Sequence, residues 1–271
     1  MMAVITAPDP VAVGYDCIAP FYDHFTAGYA HDAWVGAIEQ RALAMGLRGD
    51  RALDVACGTG ESTLPLVSRG YSVCGCDISE GMIHRARAKL PELADVFSVA
   101  DMRDLPDLGE FDLVLCLDDA VNYLLSDDDL EAAFASIARV LSPSGIFAFD
   151  VNSLLTYRTL FAETEIREQP GLLFAWRGEA APTLQPAEGA TATLEIFVAD
   201  SDGLWERRTM RTVQRHHPRQ AICSALARAG LRCCAAYGQH PGAILEEDAD
   251  EASHIKLVYF AKRQDPYNGR R

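Results

Sequence analysis

The 271-residue sequence predicts an α/β fold built on a mostly parallel, doubly wound sheet. Three observations carry that prediction. Short apolar runs alternate with helix-like segments from Arg51 to Val151. The first run, residues 53–56, opens into a glycine-bearing turn, CGTG, followed by the helix-like stretch Glu61 to Arg69. The second run, YSVCGC, ends on Asp77, and an acid at the tip of the second strand of such a unit faces the crevice where ligands bind.

Each element follows in order. A helix over 31–46 carries Trp34, Ile38 and Leu43 as a one-sided apolar stripe. Strands are then expected at 51–56, 72–76, 95–99, 111–117 and 145–151, with helices at 61–69, 79–90 and 127–142 between them. After Val151 the character changes. A short helix, NSLLTYRTLFAE, leads into candidate antiparallel strands at 164–169, 172–178, 191–200 and 204–215. Pro218 then sits in the first turn of a helix ending near Gly230, a position proline favours. Strands at 231–237 and 254–262 complete the sheet. The expected organisation is a flexible tail at 1–12, a core at 13–151, a β-rich insertion at 152–216, the end of the core at 217–263 and a frayed tail at 264–271.

The glycine turn narrows the ligand. Gly58 and Gly60 let backbone approach a bound molecule closely, because glycine has no side chain and tolerates positive φ. A dinucleotide fingerprint needs a third glycine where this chain has Thr63. Asp54 lies directly beneath the turn, where it repels a pyrophosphate and attracts an ammonium. Adenosine with a cationic amino-acid tail fits better than a dinucleotide.

Here the chain resembles the class I S-adenosylmethionine-dependent methyltransferases, small-molecule branch. LDVACGTG is similar to their first motif, GCDISEGMI to the second, VADMRDLP to the third and FDLVLCLDDAVNYL to the fourth strand with its exit loop. The resemblance is strong over about residues 13 to 155 and implies a Rossmann-like, seven-stranded sheet whose antiparallel insertion forms a lid or platform. It also implies S-adenosylmethionine as cofactor and S-adenosylhomocysteine as product. Carried over, Asp54, Ala56, Gly58 and Gly60 line the methionine end, and Asp77 holds the ribose. Ile78 and Met82 pack near the adenine, Asp101 and Met102 edge its amine, and Leu117 offers backbone to the methionine amine. Tyr22, in YDCIAPFYDHF, closes over the cofactor.

Composition limits the partners. A net charge of −15 argues against a nucleic-acid backbone. The arginines at 207, 208, 211, 215 and 219 alternate with other residues and read as an exposed strand edge. No apolar run reaches the ~20 residues that span a bilayer, and MMAVITAPDP lacks a signal peptide's basic and apolar regions, so a cytoplasmic location is expected. The eight cysteines lack C-x-x-C pairing, so reduced thiols and no metal are expected. A small-molecule substrate and a monomer or homodimer complete the expectation.

Methyl transfer from a sulfonium is an in-line displacement that depends mainly on placement. His217 and His216, which precede the Pro218 helix, are the candidate general bases, with Tyr22 as a further candidate catalytic residue. Asp119, Asn122 and Tyr123, with Asn152, Tyr157 and Trp176, are candidate acceptor contacts, since aromatics beside acids suit an amine. DDAVNYL resembles the corresponding segment of bacterial aminosugar N-methylating enzymes, whereas DVNSLLTYRT departs from them. The expected reaction is methylation of an amine nitrogen. Methylation of a hydroxyl is the alternative, as is a non-methylating, cyclase-like reaction that retains the cofactor, or a non-catalytic binding protein.

Overall fold

The computed structural model describes residues 9–264. Helices α1 (Pro10–Ile18), α2 (Tyr22–Phe25) and α3 (His31–Ala44) precede β1 (Arg51–Val55). The alternating region runs α4 (Thr63–Ser68), β2 (Ser72–Asp77), α5 (Glu80–Lys89), β3 (Phe97–Val99), β4 (Phe111–Cys116), α6 (Asp127–Val140), β5 (Leu141–Asn152). Then come α7 (Leu154–Arg158), β6 (Thr164–Gln169), β7 (Leu172–Gly178), β8 (Gly189–Ala199) and β9 (Trp205–Arg215). The chain closes with α8 (Arg219–Arg228), β10 (Leu231–His240), β11 (Ile244–Glu246) and β12 (Lys256–Arg263).

The large sheet has the order β11-β10-β12-β5-β4-β1-β2-β3, and β6 to β9 form a separate antiparallel meander. Strands β1 to β5 pair in parallel, while β12, β10 and β11 are antiparallel. The sheet has eight strands where seven are expected, because residues 241–243 turn the chain back to add β11 at the β10 edge. The chain leaves β1 in one direction for β2 and β3 and returns on its other side for β4 and β5. A crevice opens at the carboxyl ends where the order reverses.

Alternation along the strands explains why both faces are covered. On β4, Leu113 and Leu115 join the cluster under α3, while Val114 and Cys116 join the cluster under α6 and α8. Phe147 and Phe149 of β5 point to the second cluster, Ile146 and Ala148 to the first. α1 links the two sheets. Ile18 and Ala19 pack with Met82 of α5 and with Phe174, Leu194, Ile196 and Met210 of the meander.

Three local expectations change. Of the expected tail at 1–12, residues 1–8 lie outside the described residues, while 10–12 begin α1, which Asp9 caps by accepting from the Val11 N–H at 2.8 Å. Most of the expected tail at 264–271 also lies outside them. In α3, Leu43 is exposed and Ala42 takes the buried position, since 3.6-residue periodicity from Ile38 reaches 42 before 43. Pro218 is the N-cap of α8 rather than a first-turn residue. The arginine-rich β9 is indeed an edge strand, and all eight cysteines are unpaired.

Candidate active site

The glycine turn after β1 is held open by its backbone. Ala56, Gly58 and Gly60 all have positive φ, of 57°, 54° and 85°. For Ala56 that conformation carries strain of about 1 to 3 kcal/mol, which surrounding contacts must offset. The Gly58 N–H donates to Asp77 Oδ2 and the Ser79 N–H to Asp77 Oδ1, both at 2.9 Å. Asp77 thus ties the turn after β1 to the turn after β2. Burial raises its carboxyl to about 6 even though the Ser79 and Gly58 amides favour the charged form. An ionised carboxylate has about four acceptor positions, so two remain beyond those amides.

Asp54 lies wholly buried beneath the turn. Its Oδ2 accepts from Ser62 Oγ at 2.7 Å and Thr63 Oγ1 at 2.6 Å, which secures the start of α4, while Oδ1 has no partner. Burial raises this carboxyl to about 6 as well, against the Thr63 and Ser62 hydrogen bonds.

A groove runs from this turn along the strand ends. Its inner part is lined by Gly58, Asp77, Met82 and Leu117, and its outer part by Asp101, with Ala56, Ile78 and Met102 shared by both. Tyr22 and His31 also line the inner part. Beyond the groove lies a larger cavity of about 550 Å3, walled by the meander on one side and by α7, β10 and the approach to β12 on the other. Tyr15, Tyr22, Asp118 and Tyr123 line both spaces and form the junction.

The cavity floor is an ionic network. Lys256 Nζ lies 2.9 Å from Asp119 Oδ1, 2.8 Å from Asp150 Oδ2 and 4.0 Å from Asp118 Oδ1. It also stands 5.3 Å from the centre of the Trp34 ring. Burial pulls the ammonium down, but the three carboxylates more than offset this and hold it well above its usual value. At Asp150 burial wins and raises the carboxyl to about 6. At Asp118 burial is outweighed by the His31 hydrogen bond and by Lys256, so its carboxyl falls below the usual range. His31 Nε2 is 2.9 Å from Asp118 Oδ2, and that acid raises the imidazole above its ordinary value against burial.

Residues 52–145 match the family model described as a methyltransferase domain. Over 169 residues the chain is 34% identical to the putative methyltransferase YqeM of Bacillus subtilis (strain 168), covering 61% of this chain and 67% of that one. The chain belongs to the S-adenosylmethionine-dependent methyltransferases. Another similar protein is the dTDP-4-amino-2,3,4,6-tetradeoxy-D-glucose N,N-dimethyltransferase of Saccharopolyspora spinosa, 32% identical over 52% of this chain and 54% of that one. Among solved structures, an S-adenosylmethionine-dependent methyltransferase from Clostridium acetobutylicum superposes with a TM-score of 0.76 at 22% identity, covering 93% of this chain and 99% of that one. Streptomyces venezuelae DesVI gives 0.70 at 23% identity over 90% and 98%. At such identities the likeness is one of fold.

In this methyltransferase most of the residues expected at the cofactor line one groove, but three are engaged differently, Asp54 among them, since it lies beneath the turn and lines neither part. The Asp101 carboxylate is taken by Arg103, whose Nε and Nη2 lie 2.9 and 2.6 Å from Oδ2. Gly60 shapes the turn from behind, against Leu90 and Phe97. Of the acceptor contacts, Asp119, Tyr123, Asn152 and Trp176 line the cavity. Asn122 and Tyr157 do not. Asn122 Nδ2 donates to the Arg215 carbonyl at 2.9 Å, and Asn122 Oδ1 accepts from the Asn152 N–H at 2.9 Å, so it cross-ties β5 and β9. Tyr157 is fully buried, its hydroxyl donating to Gln214 Oε1 at 3.2 Å.

The two histidines expected to serve as bases are also placed elsewhere. His216 Nε2 pairs with Glu251 at 2.5 Å and its Nδ1 accepts from the Ala187 N–H at 3.2 Å. His217 is buried with neither ring nitrogen hydrogen-bonded, and burial drives it down to about 4. Neither lines the cavity.

His31, Asp118 and Lys256 went unnoticed in sequence. Lys256 left a trace, as a lone cation at the head of the apolar run LVYFA. Asp118 stands beside Asp119 in a tight turn where both have positive φ, of 58° and 53°, and no spacing rule tells the two apart. His31 gives no signal in its own neighbourhood, because its partner lies 87 residues away.

Proposed function

We propose that the methyltransferase transfers the methyl group of S-adenosylmethionine to an amine nitrogen of a small molecule held in the 550 Å3 cavity. The observation that carries this reading is the junction. The same four side chains, Tyr15, Tyr22, Asp118 and Tyr123, face both the groove and the cavity.

The groove's own residues fit the cofactor. Asp77 keeps two acceptor positions for a ribose diol, and Asp54 Oδ1 is a buried, unpartnered carboxylate oxygen beneath the turn. Met82, Ile78 and Met102 supply an apolar seat for a purine. S-adenosylmethionine would supply, when bound, a sulfonium methyl carbon open to in-line attack, with the thioether of S-adenosylhomocysteine as the leaving group.

The chain does the rest by placement and charge. Orientation of this kind contributes about 7 to 11 kcal/mol to lowering a barrier. Three carboxylates against one ammonium and the His31 imidazole still leave surplus negative charge on the cavity floor, which favours a cationic amine over a neutral hydroxyl. A transferable lone pair requires that the amine lose a proton. The Asp118–His31 pair at the junction can take it: Asp118, whose carboxyl is held low, accepts the amine's hydrogen bond and passes the proton to His31, the more basic partner behind it. The Tyr22 phenol, raised well above its usual value by burial and then by Asp118, stays protonated and serves as a donor and a wall rather than a base.

The test is S-adenosylhomocysteine release against a panel of small amines, amino sugars included, and matched alcohols. Release with amines supports the reading. Release with alcohols alone, or with no acceptor, overturns the amine assignment.

A further inference from the structure

We propose that His240, Glu246 and His254 bind a divalent transition metal of the zinc class, which staples the outer wall of the acceptor cavity. His240 ends β10, Glu246 ends β11, and His254 precedes β12. One ligand atom from each lies within 4.8 Å of the other two. The Nε2 atoms of His240 and His254 approach the same oxygen, Glu246 Oε2, at 2.6 and 3.3 Å. In a tetrahedral zinc site with bonds of about 2.0 to 2.1 Å, neighbouring ligand atoms stand roughly 3.3 Å apart, so small side-chain rotations open the cluster around an ion. Two imidazoles and one carboxylate form a donor set that suits zinc and leaves a fourth position for water.

The surroundings are built for ligation. His254 is buried, and its Nδ1 lies 2.9 Å from the Asp250 carbonyl oxygen. An imidazole donating from Nδ1 to a carbonyl presents its Nε2 lone pair to a metal. The Asp250 N–H also approaches Nδ1, at 3.1 Å, and the metal-bound tautomer gives that contact up. A Cβ placed at Gly238 would stand 2.2 Å from the His254 ring, so a glycine in β10 makes the seat for this side chain.

The consequence reaches the cavity. Gln239, Pro241, Gly242, Ala243 and Ile255, the chain neighbours of the two histidines, all line it. An ion joining residues 240, 246 and 254 fixes the hairpin and the loop that together make this wall. No short sequence motif announces the cluster, because its members are brought together by three strand ends.

The experiment titrates Zn2+ into chelator-treated full-length protein by calorimetry, with Co2+ substitution followed by visible absorption. The expected result is one ion per chain with Kd below about 10 μM and a zinc-dependent rise in Tm. His240→Ala and Glu246→Ala, at partly exposed positions, each weaken binding at least tenfold while leaving metal-free Tm and circular dichroism unchanged. Zinc also slows hydrogen exchange over residues 241–253 in the wild type. Absence of stoichiometric binding, or equal binding by the His240→Ala/Glu246→Ala double variant, overturns the proposal.

Discussion

His31 Nε2 and Asp118 Oδ2 lie 2.9 Å apart across 87 residues of sequence, and the acid of the pair opens into both the groove and the cavity. If this pair takes the amine proton, Asp118→Asn lowers kcat by about 10²-fold or more, with little change in Kd for S-adenosylmethionine. His31→Asn gives a smaller loss and removes the acid limb of the kcat/KM profile. That limb lies above the ordinary histidine value, because Asp118 raises the imidazole. Wild-type pH dependence in both variants would refute the assignment.

Asp77 joins two turns through the Gly58 and Ser79 amides. Hydrogen bonds to a charged acceptor are worth about 1.5 to 3 kcal/mol, so Asp77→Ala weakens S-adenosylmethionine about tenfold or more. Asp77→Asn, which preserves volume and one acceptor oxygen, separates lost charge from a collapsed turn. Calorimetry with both variants checks this, and an unchanged Kd contradicts it.

Burial pushes the carboxyls of both Asp54 and Asp77 up to about 6. A cation above Asp54 and hydroxyl donors on Asp77 favour their charged forms and lower both values. Binding S-adenosylmethionine at pH 6 therefore releases protons, and affinity falls as pH drops through about 6. Calorimetry in buffers of different ionisation enthalpy measures the release. Proton uptake at pH 6 would contradict the placement of Asp54 under the ligand's charge and of Asp77 against its diol.

The fold was readable in sequence because its signals are local. Strand ends at Asp54 and Asp77, the turn at Gly58 and Gly60, and the β6 to β9 run each declare themselves within a few residues. The acceptor side is different. Lys256, Asp118 and His31 acquire meaning only when β12, the exit from β4 and the start of α3 converge. His216 and His217 misled because two adjacent histidines before a helix look available, while the fold buries both and turns His216 to Glu251. His216→Asn and His217→Asn should accordingly lose less than tenfold in turnover per folded molecule, with lower Tm. A loss of 10²-fold or more at unchanged Tm would return either residue to the chemistry.

Lys256 neutralises part of a buried acidic floor, so Lys256→Met leaves carboxylates without their cation. Breaking such a pair costs about 3 to 5 kcal/mol. The sign of its pH dependence follows from Asp150, whose folded value of about 6 exceeds the ordinary carboxylate value. A raised acid penalises the folded state above that value, and the penalty is relieved as pH falls through it. Lys256→Met therefore regains part of its lost stability between pH 7 and pH 5. Denaturant titration at both pH values measures this, and a uniform loss contradicts it.

Mass spectrometry of acceptors incubated with methyl-deuterated S-adenosylmethionine reads out delivery of the methyl group from the groove into the cavity and onto a small amine. Label is expected on the nitrogen of a low-mass amine, and is lost in Asp118→Asn while S-adenosylmethionine still binds. Bound S-adenosylmethionine with no label transferred to any amine, or label appearing only on oxygen, would contradict this delivery.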